Sequence, residues 1–312
     1  MYSLHLKTIR AAGIAAAVAL LASCNGHSAG ALPVANTANA ALFSSVTKTL
    51  FVADPLADRV RIFAAGIQHG AQIGAITSGV SAPQGLFVDS NGVLYVANTQ
   101  SVTEYQPGAF SPFRTLKNVS NAVSLTVDRQ GTVYVGQGCQ IVPSGGSIAV
   151  FSSGSTTPSR TIALNECSFM GGITTDLAGN LIVSFFQYPA KIQHVLEFAR
   201  GASSGRELGI QGIAEIGATL RTDRSGNLYA TSGTGVNVYA PGASLPARSI
   251  TAGMESPTGI ALDGSGNLYV ANYPGPIGAS FINVYARGGK VPINSFMGGL
   301  TTLEGVAVRP AQ

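Results

Sequence analysis

One fourteen-residue segment of this chain occurs twice. Gly85-Leu-Phe-Val-Asp-Ser-Asn-Gly-Val-Leu-Tyr-Val-Ala-Asn98 returns as Gly259-Ile-Ala-Leu-Asp-Gly-Ser-Gly-Asn-Leu-Tyr-Val-Ala-Asn272. Weaker copies surround Asp128, Asp176 and Asp223. The recurring aspartates at 89, 128, 176, 223 and 263 are therefore spaced 39, 48, 47 and 40 residues apart. Each copy runs in one order. A short apolar strand ends at the Asp, and a turn such as Ser90-Asn91-Gly92 or Ser225-Gly226-Asn227 follows. Asx side chains that bond local backbone and Gly that supplies positive φ make this a hairpin. A second strand such as Leu228-Tyr229-Ala230 comes next, then a third such as Asn237-Val238-Tyr239-Ala240. A fourth begins near an Arg, at Arg114, Arg160 and Arg248.

Four strands per repeat and a period of 40–50 residues are the signature of a propeller blade. The ends complete the count. Leu50–Asp54 matches a second strand and Val60–Ala64 a third, but the first strand of that copy is missing from the N-terminus. It stands instead at the C-terminus as Gly305-Val-Ala-Val308, with Arg309 in the Asp position. The expected fold is all-β: a six-bladed β-propeller of four-stranded blades, the first blade closed by the C-terminal strand. Such closure removes open sheet edges. The 39 glycines among 312 residues, without a collagen period, fit many short strands and tight turns. The recurring Phe51, Tyr95, Tyr134, Tyr229 and Tyr269, with Ile182 at the same position, read as inter-blade core. The recurring Asp reads as a turn residue.

The first residues read as an address. Lys7 and Arg10 precede the apolar run Ala11–Ala22, which is too short to span a bilayer and ends Leu21-Ala22-Ser23-Cys24. That ending looks like a bacterial lipobox. It implies a lipoprotein signal peptide over 1–23, a lipidated Cys24, a flexible tether through residue 46, and a single propeller domain over 47–312. Asn25 after the Cys points to the outer membrane, facing the periplasm or the cell surface. Without residues 1–23 the chain keeps 16 basic and 14 acidic residues. No Lys/Arg cluster appears, so nucleic acid is not an expected partner. The expected state is a monomer held to the membrane through Cys24.

The pattern G-x-x-x-D-x-x-G-N-L-Y-V-A-N followed by V-Y-A resembles the NHL-repeat and gluconolactonase-like propeller superfamily. Within it, gluconolactonase-type enzymes hold a divalent metal at the axial mouth with oxygen ligands, one a Glu followed by Gly. Glu304-Gly305 matches locally. The corresponding residues elsewhere are Gln84, Val123, Gly171, Ala218 and Thr258, so Glu304 and Gln84 are the obvious side-chain ligands. The resemblance therefore supplies a rival reading, a metal-dependent lactonase or streptogramin-type lyase. Amidating lyases of the superfamily need several zinc-binding His, and only His69 and His194 stand in the propeller region. His194 reads as an ordinary strand residue. No G-x-S-x-G elbow or nucleotide-binding glycine loop is present.

No complete catalytic set emerges, and no cofactor is expected. The leading expectation is a non-catalytic module that binds an envelope protein or a small ligand. A structural role in the envelope is not separable from it at this level. Candidate contacts lie on the face of the second-to-third-strand connections: Asp54, Asn98, Gln100, Gln137, Phe185, Tyr188, Asn272 and Tyr273, with Gln84 and Glu304 nearer the axis. Residues 185–193 read as a long loop insertion carrying exposed aromatics. Cys139 and Cys167 bracket a long blade in an exported, oxidising compartment, where a disulfide is expected.

Overall fold

In the computed structural model, residues 48–65, 70–138, 145–164, 167–188, 190–214, 217–275, 279–300 and 305–310 are described. Cys24, Cys139 and Glu304 lie outside these residues, as does the side chain of Cys167. The described strands form six four-stranded antiparallel sheets. Five sheets run in chain order from the axis outward: residues 86–116 (blade 2), 122–163 (blade 3), 167–207 (blade 4), 220–250 (blade 5) and 257–300 (blade 6). Blade 1 takes its inner strand, Val306–Arg309, from the C-terminus and its other three from residues 49–76. Thr49 pairs with Arg309 and Val52 with Val306, so the split blade read from the sequence is the one formed. Inner strands of successive blades touch all the way round, blade 6 returning to blade 1.

The repeat builds this ring by placing one apolar residue of each second strand in each gap between blades. Phe51, Tyr95, Tyr134, Ile182, Tyr229 and Tyr269 each belong to a different one of six buried clusters. Each cluster joins residues of two neighbouring blades, as Tyr95 does with Leu125 and Val127 of blade 3. The clusters are separate cores in a circle, one per interface.

The recurring Asp sits at the end of the inner strand in blades 2 to 6 and holds the turn behind it. Asp223 Oδ1 accepts from the backbone N–H groups of Ser225 and Asn227 at 2.8 and 2.9 Å, and Oδ2 accepts from Asn227 Nδ2. Asp89, Asp128 and Asp263 repeat the backbone bonds. Four recurring tyrosines bring their hydroxyls to within 3.4–3.5 Å of these same carboxylates. Blade 1 breaks both rules together. Its first and second strands are not joined by such a turn but come from opposite ends of the propeller sequence, Arg309 stands where the Asp would be, and its guanidinium lies 5.4 Å from the centre of the Phe51 ring. Two of the recurring fourth-strand arginines reach across to the next blade, Arg160 to the Ala202 carbonyl and Arg248 to the Gly289 carbonyl, while Arg114 pairs with Glu104 of its own blade.

Glycines let inner strands meet at the start of the blades. A Cβ on Gly172 would lie 2.1 Å from the Leu220 nitrogen, and one on Gly305 2.2 Å from the Gln84 oxygen. The Gly172 N–H donates to the Ala218 carbonyl at 2.6 Å.

Candidate functional site

A propeller has two faces, and the described candidate contact residues share one of them. Inner strands begin at the upper face, where second strands end. The Asp turns lie on the lower face. On the upper face most of the candidate polar side chains hold loops. Asn98 Oδ1 accepts from the Ser81 N–H at 2.9 Å, while its Nδ2 donates to the Gly79 carbonyl and Thr103 Oγ1 at 3.1 Å. Asn272 is fully buried, accepts from the Glu255 N–H and donates to the Val270 carbonyl. Gln137 is buried between the Ser120 N–H and Ser147 Oγ. Asp54 is buried and accepts from Arg59 Nε at 3.0 Å and Arg61 Nε at 2.8 Å. Gln100 is exposed, and Tyr273 and Gln84 are half-buried. The Gln84 backbone abuts Gly305, which brings the two blades of the possible metal pair into contact. Among the described residues, no three His, Cys, Asp or Glu side chains converge as metal ligands.

Blade 4 departs from the expected loop. Residues 185–188 continue the second strand, Leu181–Tyr188, and the third strand, Ile192–Phe198, starts almost at once. Aromatic and β-branched residues carry the pairing onward, and Lys191 turns the chain with φ of 59°. The corresponding strand of blade 5, Leu228–Thr231, has four residues against eight. The paired hairpin therefore extends further than that of blade 5, and this extension forms a shoulder on blade 4. Its two flanks differ. Phe185 faces blade 3, buried in the core of that interface, with the His194 ring stacked on it at 5.0 Å. His194 is held from both sides, Nδ1 against Glu207 and Nε2 against Gln187, each at 2.8 Å. Phe186 and Tyr188 alternate onto the other flank, the strand face that lower down packs Ile182 against blade 5. Phe169 pairs with Phe186 across the strands, ring centres 6.5 Å apart, and is 44% exposed.

The open axial cavity lies on the lower face, and none of the described candidate residues lines it. It measures about 440 Å³ and is walled by the ends of all six inner strands. The residue two places before the recurring Asp lines it in each blade: Ala307, Phe87, Thr126, Thr174, Arg221 and Ala261. One of the six is charged. Arg221 Nη2 donates to the Leu86 carbonyl at 3.0 Å, crossing the axis from blade 5 to the opposite blade 2. Its Nη1 donates to the Leu220 carbonyl at 2.9 Å, and its guanidinium lies 5.6 Å from the centre of the Phe87 ring. Burial pushes its pKa down to about 10, which leaves it cationic at neutral pH. Among the described residues it has no carboxylate partner. Sequence reasoning passed over Arg221. The signal that finds it is a single charge in an otherwise neutral column of the repeat.

No protein-family model matches the chain, and no curated protein is similar to it in sequence. Solved structures are similar to it in fold. A chain of the nidogen/laminin complex superposes with a TM-score of 0.64 at 15% identity, over 85% of this chain and 99% of that one. A protein of unknown function from Bacteroides caccae gives 0.62 at 9% identity, over 84% and 98%. A putative 6-phosphogluconolactonase from Bacteroides fragilis gives 0.52 at 16% identity, over 78% of each. Together with the six sheets, these likenesses establish the fold of this chain as a six-bladed β-propeller.

Proposed function

We propose that the chain is an exported binding propeller, without catalysis, tethered to an envelope membrane through Cys24 and holding a protein partner against the shoulder of blade 4. The observation that carries the reading is the aromatic flank of that shoulder. Phe169, Phe186 and Tyr188 rise beside a shorter blade, on an element whose opposite flank is anchored in the core. A rigid aromatic step of this kind is what a protein interface uses as an anchor. The loop-holding bonds of Asn98, Asn272, Gln137 and Asp54 favour the same reading, because side chains so engaged have little left for a substrate. Cys167 opens the inner strand of blade 4 in register with Tyr188, and a disulfide from it to Cys139 would brace the shoulder. The nidogen/laminin complex is one case in which a similar structure belongs to a protein–protein assembly.

The rival reading, a metal-assisted lactonase or lyase using Glu304 and Gln84, is separated by titrating the chelator-treated protein with calcium, magnesium, manganese and zinc during thermal unfolding. A metal at 100 times its dissociation constant would add about 2.7 kcal/mol. The binding reading predicts no saturable shift and no lactone turnover. A shift that disappears in Glu304→Ala would overturn it.

A further inference from the structure

The axial cavity on the lower face is a second site, independent of the blade 4 shoulder. Its wall carries four carboxylates, of Asp89, Asp128, Asp176 and Asp223. All four are committed to their own turns. Asp176, for example, accepts from the Asn180 N–H at 2.8 Å and from Asn180 Nδ2 at 2.9 Å. Arg221 is not committed in this way. Two of its five N–H donors bond backbone carbonyls, and among the described residues no carboxylate lies within 4.0 Å of it; Arg129, Arg200 and Arg224 line the cavity as well. A partly buried guanidinium with free donors and no directly paired carboxylate can take an anion from outside. The planar fork of the guanidinium matches a carboxylate in particular. Phe87 beside it offers an apolar surface, and Thr126 and Thr174 add hydroxyls. Thr222 also lines the cavity, and its Oγ1 makes no hydrogen bond to the protein. The volume of about 440 Å³ lies within the range of small-molecule pockets.

We infer that the lower axial cavity binds a small organic carboxylate, with Arg221 as its anion-holding residue and Phe87 against its apolar part.

The sequence contains no Trp, so Phe87→Trp places a single indole beside the guanidinium. The full chain carrying Phe87→Trp is titrated with benzoate, succinate and citrate at constant ionic strength, and with sulfate. The wild-type chain is titrated by calorimetry with the same anions. Saturable fluorescence change and heat are expected with at least one carboxylate. Arg221→Met should weaken that binding at least tenfold, Arg221→Lys less, and exposed Arg206→Met not at all. Should Arg221→Met fail to fold, the Phe87→Trp titration still decides, because it retains Arg221. Three results would each overturn the inference: no carboxylate binds, binding survives Arg221→Met unchanged, or sulfate binds as tightly as every carboxylate.

Discussion

Asp263 holds more than its own turn. Besides accepting from Ser265 and Asn267, its Oδ2 takes the Lys48 ammonium at 2.7 Å, across the seam where the two chain ends meet. The Gly264 N–H donates to the Pro310 carbonyl beside it. Burial works against ionisation of this carboxyl, but Lys48 and the Asn267 donors outweigh it and hold the pKa below the ordinary value of 3.8. An acid with a depressed native pKa binds fewer protons folded than unfolded. Its contribution is complete above the unfolded value and is lost as pH falls through the native one. Urea unfolding between pH 7 and pH 2 should therefore show Asp263→Asn less stable at pH 7 by about 1–3 kcal/mol. The gap to wild type should narrow below pH 3.8, and parallel profiles would contradict this role. Residues of this kind are legible because they recur: an Asp in five of six copies cannot be a unique catalytic acid. The exchange of Tyr for Phe51 where Arg309 replaces Asp is legible for the same reason. Arg221 was missed because attention to what repeats hides what does not.

At the scale of strands and blades, the inner strands are held together by the absence of side chains. Gly172 has no room for a Cβ against Leu220, whereas Gly201 sits in an open turn with nothing within 4 Å of its would-be Cβ. Gly172→Ala must push two blades apart and should cost about 2–4 kcal/mol. Gly201→Ala, strained only by its φ of 81°, should cost about 1 kcal/mol. Equal midpoint shifts in denaturant would contradict the tight inner contact. The split first blade could be read from sequence, because a missing first strand and a surplus last one define each other. The blade 4 hairpin could not. Its Tyr188-Pro189 punctuation looks like a loop, and only the pairing of residues 185–188 with 167–170, and of 185–187 with 192–194, reveals continuous strand.

The whole molecule divides its chemistry between two faces. The upper face carries loops pinned by buried amides, and there the blade 4 hairpin is longer than its counterpart in blade 5. The lower face opens into a cavity lined by one column of the repeat. Sequence periodicity yields the ring because every blade must satisfy the same packing problem. Which face is open depends on how closely the inner strands approach, and that follows from glycines acting across blades. The central claim, that the shoulder of blade 4 holds a protein partner, is tested by photocrosslinking in cells of the native host. A benzophenone side chain replaces Phe169 in one variant and Leu245 in another. Leu245 is 62% exposed in a third-to-fourth-strand turn of blade 5 on the opposite face. The account predicts one discrete protein adduct from position 169, none from 245, and loss of the adduct when Phe186→Asp is added. No adduct at 169, or the same adduct from both positions, would contradict it.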